Sequence, residues 1–279
     1  MRDDKLLSRI SALLRKAENT DNEHEAEAFM QAAQRLATAS SIDLARARDH
    51  DPDAKKRTTP VSRQIHIGEK GKRGLKTYVQ LFVSIARPND VTVDVAGNST
   101  FVLAYGFASD IDTVEALYSS LVVQMVAASD GYIRSGAYKG ETFARVVTVG
   151  SGWRARRVVE EKALSPITAR LNFQSAFAER IGKRLAQARE EATQEALALE
   201  RAQVNGGGQS SSTEIALRHK EIEVKDFYKG ESRARGTWRP SSASAGYSEA
   251  ARQAGDRAGR RAKIGPDRQF GGARGALEG

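Results

Sequence analysis

Residues 5–43 read KLLSRISALLRKAENTDNEHEAEAFMQAAQRLATASSID, two helical patterns joined by a short polar break. Leu6, Leu7, Ile10, Leu13, Leu14 and Ala17 recur at the three- and four-residue spacing that gives an amphipathic helix one buried stripe. Glu18-Asn19-Thr20-Asp21 interrupts that stripe. Asn22 is a suitable N-cap for a second helix, and Glu25, three residues on, stands where a capping box places a carboxylate. From about Glu23, the residues Ala26, Phe29, Ala33, Leu36 and Ala37 share one face, and alanines there let a partner helix come close. The stretch predicts an antiparallel helical hairpin.

The run Lys5-Leu6-Leu7, Ile10, Leu13-Leu14, Lys16-Ala17-Glu18, then Asn22-Glu23-His24-Glu25-Ala26-Glu27-Ala28, Ala33-Gln34 and Ile42-Asp43 resembles the N-terminal domain of an uncharacterised family of bacterial and phage proteins, a domain of unknown function. Asn22, His24, Glu25 and Glu27 carry the most recognisable part of that motif. Ala104-Tyr105-Gly106-Phe107, Asp110-Ile111-Asp112, Leu117-Tyr118 and Leu121 look like the second domain that often follows it. The resemblance implies a two-part protein with no established activity. A long polar insertion around residues 136–166 departs from the family's pattern.

Further along, residues 49–62 carry two prolines and no core pattern, and read as a linker. A central domain is expected over residues 63–203. In it Gln64-Ile65-His66-Ile67 alternates as a strand, and residues 75–86 form a helix that stops before Pro88. Val91–Val95 and Thr100–Tyr105 flank Ala96-Gly97-Asn98-Ser99, a hairpin signal. Another helix is expected from about Asp110 to Tyr132. Residues 144–149 read as a strand, but Trp153–Lys162 reads as a basic helix. A long helix is predicted from Thr168 to about Arg201. Its second half is alanine-rich and charged, and so is expected to face solvent or self-associate. Residues 204–212 are a flexible linker by composition; in residues 213–228, Glu214–Leu217 reads as a short strand and Glu221–Tyr228 as a short strand or helix; and residues 229–279 are a flexible basic tail rich in Gly, Ala, Ser and Arg. Within that tail Ser248–Lys263 sets Ala250, Ala251, Ala254, Gly255, Ala258 and Gly259 at helical spacing, so the alternative to disorder there is a helix that orders against phosphate. The fold class is α+β: a helical hairpin, a small antiparallel sheet with long helices, and that tail.

The formal net charge is +9 and is unevenly placed. Residues 1–48 are neutral, with eight basic and eight acidic side chains, whereas residues 229–279 hold eleven basic and five acidic ones. An electrostatic partner would meet the tail. There is no cysteine, which removes disulfides, thiolate nucleophiles and cysteine-bearing zinc sites. MRDDKLL lacks an apolar signal core, and the apolar runs are shorter than the roughly 20 residues of a bilayer span. A soluble, cytoplasmic protein without membrane contact is the expectation.

No catalytic constellation can be assembled. His24-Glu25 opens like a zinc-protease helix, but the position four after His24 is Ala28. The loop Gly68–Gly74 is basic but lacks the Gly-Lys-Ser/Thr ending of a phosphate loop. Asp110, Asp112 and Glu115 have a spacing that could serve magnesium, although acidic residues at a helix start also complement its dipole. No cofactor or metal is predicted. Basic clusters recur instead: Lys55-Lys56-Arg57, Lys70 with Lys72-Arg73, Arg154 with Arg156-Arg157, and the tail's Arg252, Arg257, Arg260, Arg261 and Lys263. Trp153 and Trp238 lie beside arginines, where an indole can stack on a base or a guanidinium.

The leading reading is a non-enzymatic nucleic-acid-associated accessory protein that contacts phosphates of DNA or RNA without sequence preference, through Arg154, Arg156, Arg157, Arg252, Arg257, Arg260, Arg261 and Lys263. Two alternatives stay open: a metal-dependent enzyme using Asp110, Asp112 or Glu115, and an adaptor whose N-terminal hairpin grips a protein partner.

Overall fold

The computed structural model describes residues 2–19, 22–72, 74–203, 212–238 and 246–262. Among them the chain forms α1 (Arg2–Asn19), α2 (Glu23–His50), α3 (Pro52–Arg57), β1 (Val61–His66), α4 (Leu75–Ala86), β2 (Thr92–Val95), β3 (Phe101–Gly106), α5 (Ala108–Arg134), β4 (Thr142–Val149), β5 (Arg156–Ala163), α6 (Pro166–Gln203), α7 (Ser212–Glu231) and α8 (Glu249–Arg261). It is an α+β fold with a three-stranded antiparallel sheet, order β1-β3-β2, and a separate two-stranded ribbon, β4-β5.

The two N-terminal helices pack on each other as a hairpin. Asn22 caps α2 by accepting a bond from the His24 amide at 3.0 Å. Ile10, Ala33 and Ala37 then enter one core with Val79, Phe82 and Ile85 of α4, Val102 of β3, Ile111 and Leu121 of α5, and Phe177 and Ile181 of α6. The α1–α2 unit is thus joined to the rest by shared burial across the segment 49–62, which itself contains α3. α5 is long and apolar enough to cross a bilayer by length and composition alone, yet its apolar side is the one that meets α4 and α6.

Three expectations are corrected. Trp153–Lys162 is mostly strand: Val158 and Val159 stand opposite Val147 and Val146, and a chain of β-branched residues with a partner strand forms a ladder rather than a helix. Residues 213–228 lie within α7, a helix of 20 residues, because Thr213, Ala216, Lys220 and Val224 fall on one buried face. The region 229–279, expected to be a flexible tail, contains α8, which lies along α6. Ala251, Gly255 and Gly259 recur every four residues on the face towards α6, and the absent side chains let the two backbones approach. A Cβ on Gly259 would stand 2.9 Å from Arg180 Cβ and 3.1 Å from the Phe177 carbonyl oxygen.

The second half of α6 is covered on one side and faces solvent on the other, where Leu199 is exposed. It packs against α2 and α7, burying Ala188 and Leu197, and Arg189 bonds the Pro88 carbonyl at 2.7 Å and Asp90 at 2.6 Å.

Candidate nucleic-acid interface

β4 and β5 form an arm. Eight residues per strand at about 3.3 Å each give a ribbon roughly 25 Å long. Its base is anchored: the Leu164 amide bonds the Glu141 carbonyl at 2.8 Å, and Phe143 and Leu164 are buried with Ala169 of α6 and Ala251 of α8, beside Tyr132, Ile133 and Tyr138. Asn172 ties the same corner together by bonding the Gly246 carbonyl at 2.9 Å and accepting from the Ser248 amide at 3.3 Å.

Beyond this base the ribbon stands in solvent. Every residue of β5 is exposed, and Val146 and Val159 are 62% and 65% exposed although they face each other across the strands. The tip turns through Gly150 and Gly152, both at positive φ (91° and 58°), a backbone region open to glycine but strained for other residues. Gly150 is doubly required, since a Cβ there would lie 2.8 Å from the Arg154 carbonyl oxygen. A short 3-10 turn, Gly152–Arg154, then presents Trp153 at 88% exposure. The Arg154 guanidinium sits over one face of that indole, 4.6 Å from the ring centroid.

Opposite residues of an antiparallel pair share a face, so the register puts Arg157 with Thr148 on one face of the ribbon and Arg156 with Val149 on the other. Among the described residues, no carboxylate pairs with Arg154, Arg156 or Arg157. Glu160 and Glu161 lie nearer the base, where Arg145 stands opposite Glu160 and Lys162 follows, so the root is of mixed charge and the tip basic.

The tail arginines are placed differently. Arg252 is bound to Glu179 at 2.6 Å, and Arg260 to Asp256 at 3.0 Å. Asp256 also receives both Nε (2.5 Å) and Nη2 (2.9 Å) of Arg180. Arg252–Glu179 and Arg180–Asp256 fasten α8 to α6, while Arg260–Asp256 is a pair within α8. Arg257 and Arg261 are exposed and border a cavity of about 390 Å³ between α5, α6 and α8. Lys263 lies outside the described residues. A second basic surface, with no signal in the sequence, is an open groove of about 1110 Å³ whose rim carries Arg87, Lys183 and Arg235, with Trp238 in its wall.

The acidic trio does not converge. Asp112 and Glu115 both take Arg63 of β1, at 2.5 and 3.2 Å, while Asp110 points inward to Lys220 at 2.7 Å. Among the described residues, no group of three His, Asp or Glu side chains could hold a metal ion. The metal-dependent reading loses its ligands to ion pairs. Lys220 itself is 2% exposed, bridges Asp110 and Asp90 (3.3 Å), and donates to Ser41 of α2. Burial pushes the Asp110 carboxyl up, against the pull of Lys220. Burial acts on Asp90 in the same sense, but Lys220 and Arg189 together hold it below the ordinary carboxylate range. The cavity beside this cluster is only about 10 Å³, room for about one water, so its chemistry is structural.

Of the family motif, Asn22 caps α2, while His24 and Glu25 are exposed at its first turn. Glu27 lies one turn into that helix, and its side chain is outside the described residues. The apolar side of the α1–α2 hairpin, which an adaptor would offer a partner, is buried in this chain's own core. No curated protein and no solved structure matches the chain. Residues 5–44 match the model of a family described as a protein of unknown function (DUF2786).

Proposed function

We propose that this chain is a nucleic-acid-binding accessory protein whose β4–β5 arm carries the contact. The observation that supports this reading most directly is the tip: Trp153, Arg154, Arg156 and Arg157 are exposed together at the end of a ribbon whose strand β5 is exposed along its whole length. A two-stranded ribbon is narrow enough to enter a major groove about 12 Å wide. Unpaired guanidinium groups on it gain free energy mainly by displacing counterions from phosphates. α8, by contrast, contributes by holding the arm's base, with Arg252 engaged by Glu179 of α6.

The test is a titration of labelled duplex DNA, single-stranded DNA and RNA at several salt concentrations. It compares the native chain with a variant carrying Arg154→Glu, Arg156→Glu and Arg157→Glu. We expect affinity to fall by at least about tenfold and the slope of log K against log salt to lessen by roughly 2–3, near one unit per lost phosphate contact. A second variant, with residues 147–158 replaced by a two-residue Asn-Gly turn, should keep the native unfolding midpoint and lose the same binding. If both variants bind like the native chain, the arm is not the interface.

A further inference from the structure

The tip has a shape that a single phosphate-tracking surface does not need. A ribbon lying along one strand would gather its cations on one face, but here Arg157 and Arg156 point to opposite faces at neighbouring positions of β5. Each face also carries a cross-strand valine pair behind its arginine: Val146 with Val159 on one side, Val147 with Val158 on the other. At the apex stands a single indole, 88% exposed, with one face under Arg154. Gly152, the residue before it, adds no side chain of its own. The other face of the ring is open to a flat partner. An aromatic face accepts any base by stacking, but only a base that has no pairing partner to hold it in a duplex stack.

We infer that the arm recognises a junction where a duplex opens into single strands. Trp153 stacks on the first unpaired base, and Arg156 and Arg157 each take the backbone of one of the two diverging strands. This rests on the nucleic-acid reading above and names the structure within nucleic acid that the arm selects. The valine pairs lie against the sugars behind the fork.

The chain has two tryptophans, so Trp238→Phe leaves Trp153 as the sole indole fluorophore. Full-length protein with that substitution is titrated with a blunt DNA duplex, a single strand of the same sequence, and a forked duplex with two unpaired arms. We expect the fork to bind at least about fivefold tighter than either other ligand and to quench Trp153 by more than half. Trp153→Ala, made in the native chain, should cost about tenfold in fork affinity and leave blunt-duplex affinity unchanged. Equal affinity for fork and duplex, an unquenched indole, or a single strand bound as tightly as the fork overturns the junction inference while leaving nucleic-acid binding intact. Absence of binding at low salt to all three ligands, and to RNA in the titration above, overturns both.

Discussion

Lys220 shows how much a single side chain carries here. Its ammonium is shielded from water and neutralises two aspartates that come from different parts of the chain, one after α4 and one in the first turn of α5. Asp90, with φ 58°, is itself in the left-handed region, so its side chain is aimed by an uncommon backbone state. Replacing Lys220→Met removes the cation and leaves the two carboxylates buried; the expected loss is about 3–5 kcal/mol in denaturant unfolding. Adding Asp110→Asn to that variant should restore part of the loss, because the carboxyl that burial already pushes up is the easier one to neutralise. If the double variant is no more stable than the single one, the two groups are not coupled as described. The same lysine explains a failure of sequence reading. The α7 face runs Thr213, Ala216, Lys220, Val224, and a charge in its middle hides the helical period, whereas Ile215 and Leu217 alternate like a strand.

At the scale of elements, α8 is the clearest case of close packing. Gly255→Ala would place a methyl against the Phe173 carbonyl, which cannot yield without moving α8, so a loss of at least about 1–3 kcal/mol is expected, read from the unfolding midpoint. The same helix gives a pH dependence. Bonds from Arg180, aided by Arg260 and against the upward push of burial, hold the Asp256 carboxyl below the ordinary aspartate range. Folding therefore favours the ionised form. Its contribution is present in full at neutral pH and fades as pH drops from about 4 through the lowered value. The stability difference between the native chain and Asp256→Asn should accordingly be largest near neutrality and close in acid; a gap independent of pH would remove this assignment. Elements with a conventional signature were legible from sequence: the α1–α2 stripe, the α4 stop before Pro88, and the β2–β3 turn at Ala96–Ser99, where the Ser99 amide returns to Ala96 at 2.8 Å. β5 was not, because an unpacked ribbon has no core side to impose alternation, and its Arg-Arg-Val-Val-Glu-Glu-Lys run also suits a helix. For α8 the helical spacing of Ala251, Gly255 and Gly259 was legible, but a glycine content that also suits disorder left two readings open, because the neighbouring backbone that explains those glycines has no trace in the local sequence.

For the molecule as a whole, part of the charge excess in the last fifth of the chain is taken up within the fold, where Arg252 of α8 pairs with Glu179 of α6. The sequence located Arg154, Arg156 and Arg157 as a cluster but not as the end of an arm, since exposure depends on what the ribbon leaves uncovered. It also could not show that four of the carboxylates between and beyond these clusters, Asp112, Glu115, Glu179 and Asp256, are each taken by an arginine. One consequence is practical. Ending the chain at Tyr228 removes α8 and opens the core under the arm, so Tm should fall by roughly 10 °C or more, at about 2–4 °C per kcal/mol for a chain of this size. Binding lost on that truncation would then report unfolding, and a truncated chain with an unchanged Tm would show that α8 is dispensable to the fold.

The seal beneath the arm is made by residues at two distant points of the chain. Phe143 emerges from the ribosome about a hundred residues before Ala251, the residue that helps close over it. At bacterial and eukaryotic elongation rates that gap is on the order of 5–20 s. During it the nascent ribbon carries its exposed valines on an unsecured root, so the interval in which this protein is most open to chaperones, or to pairing with a neighbouring chain on the same message, is set by the position of its last described helix.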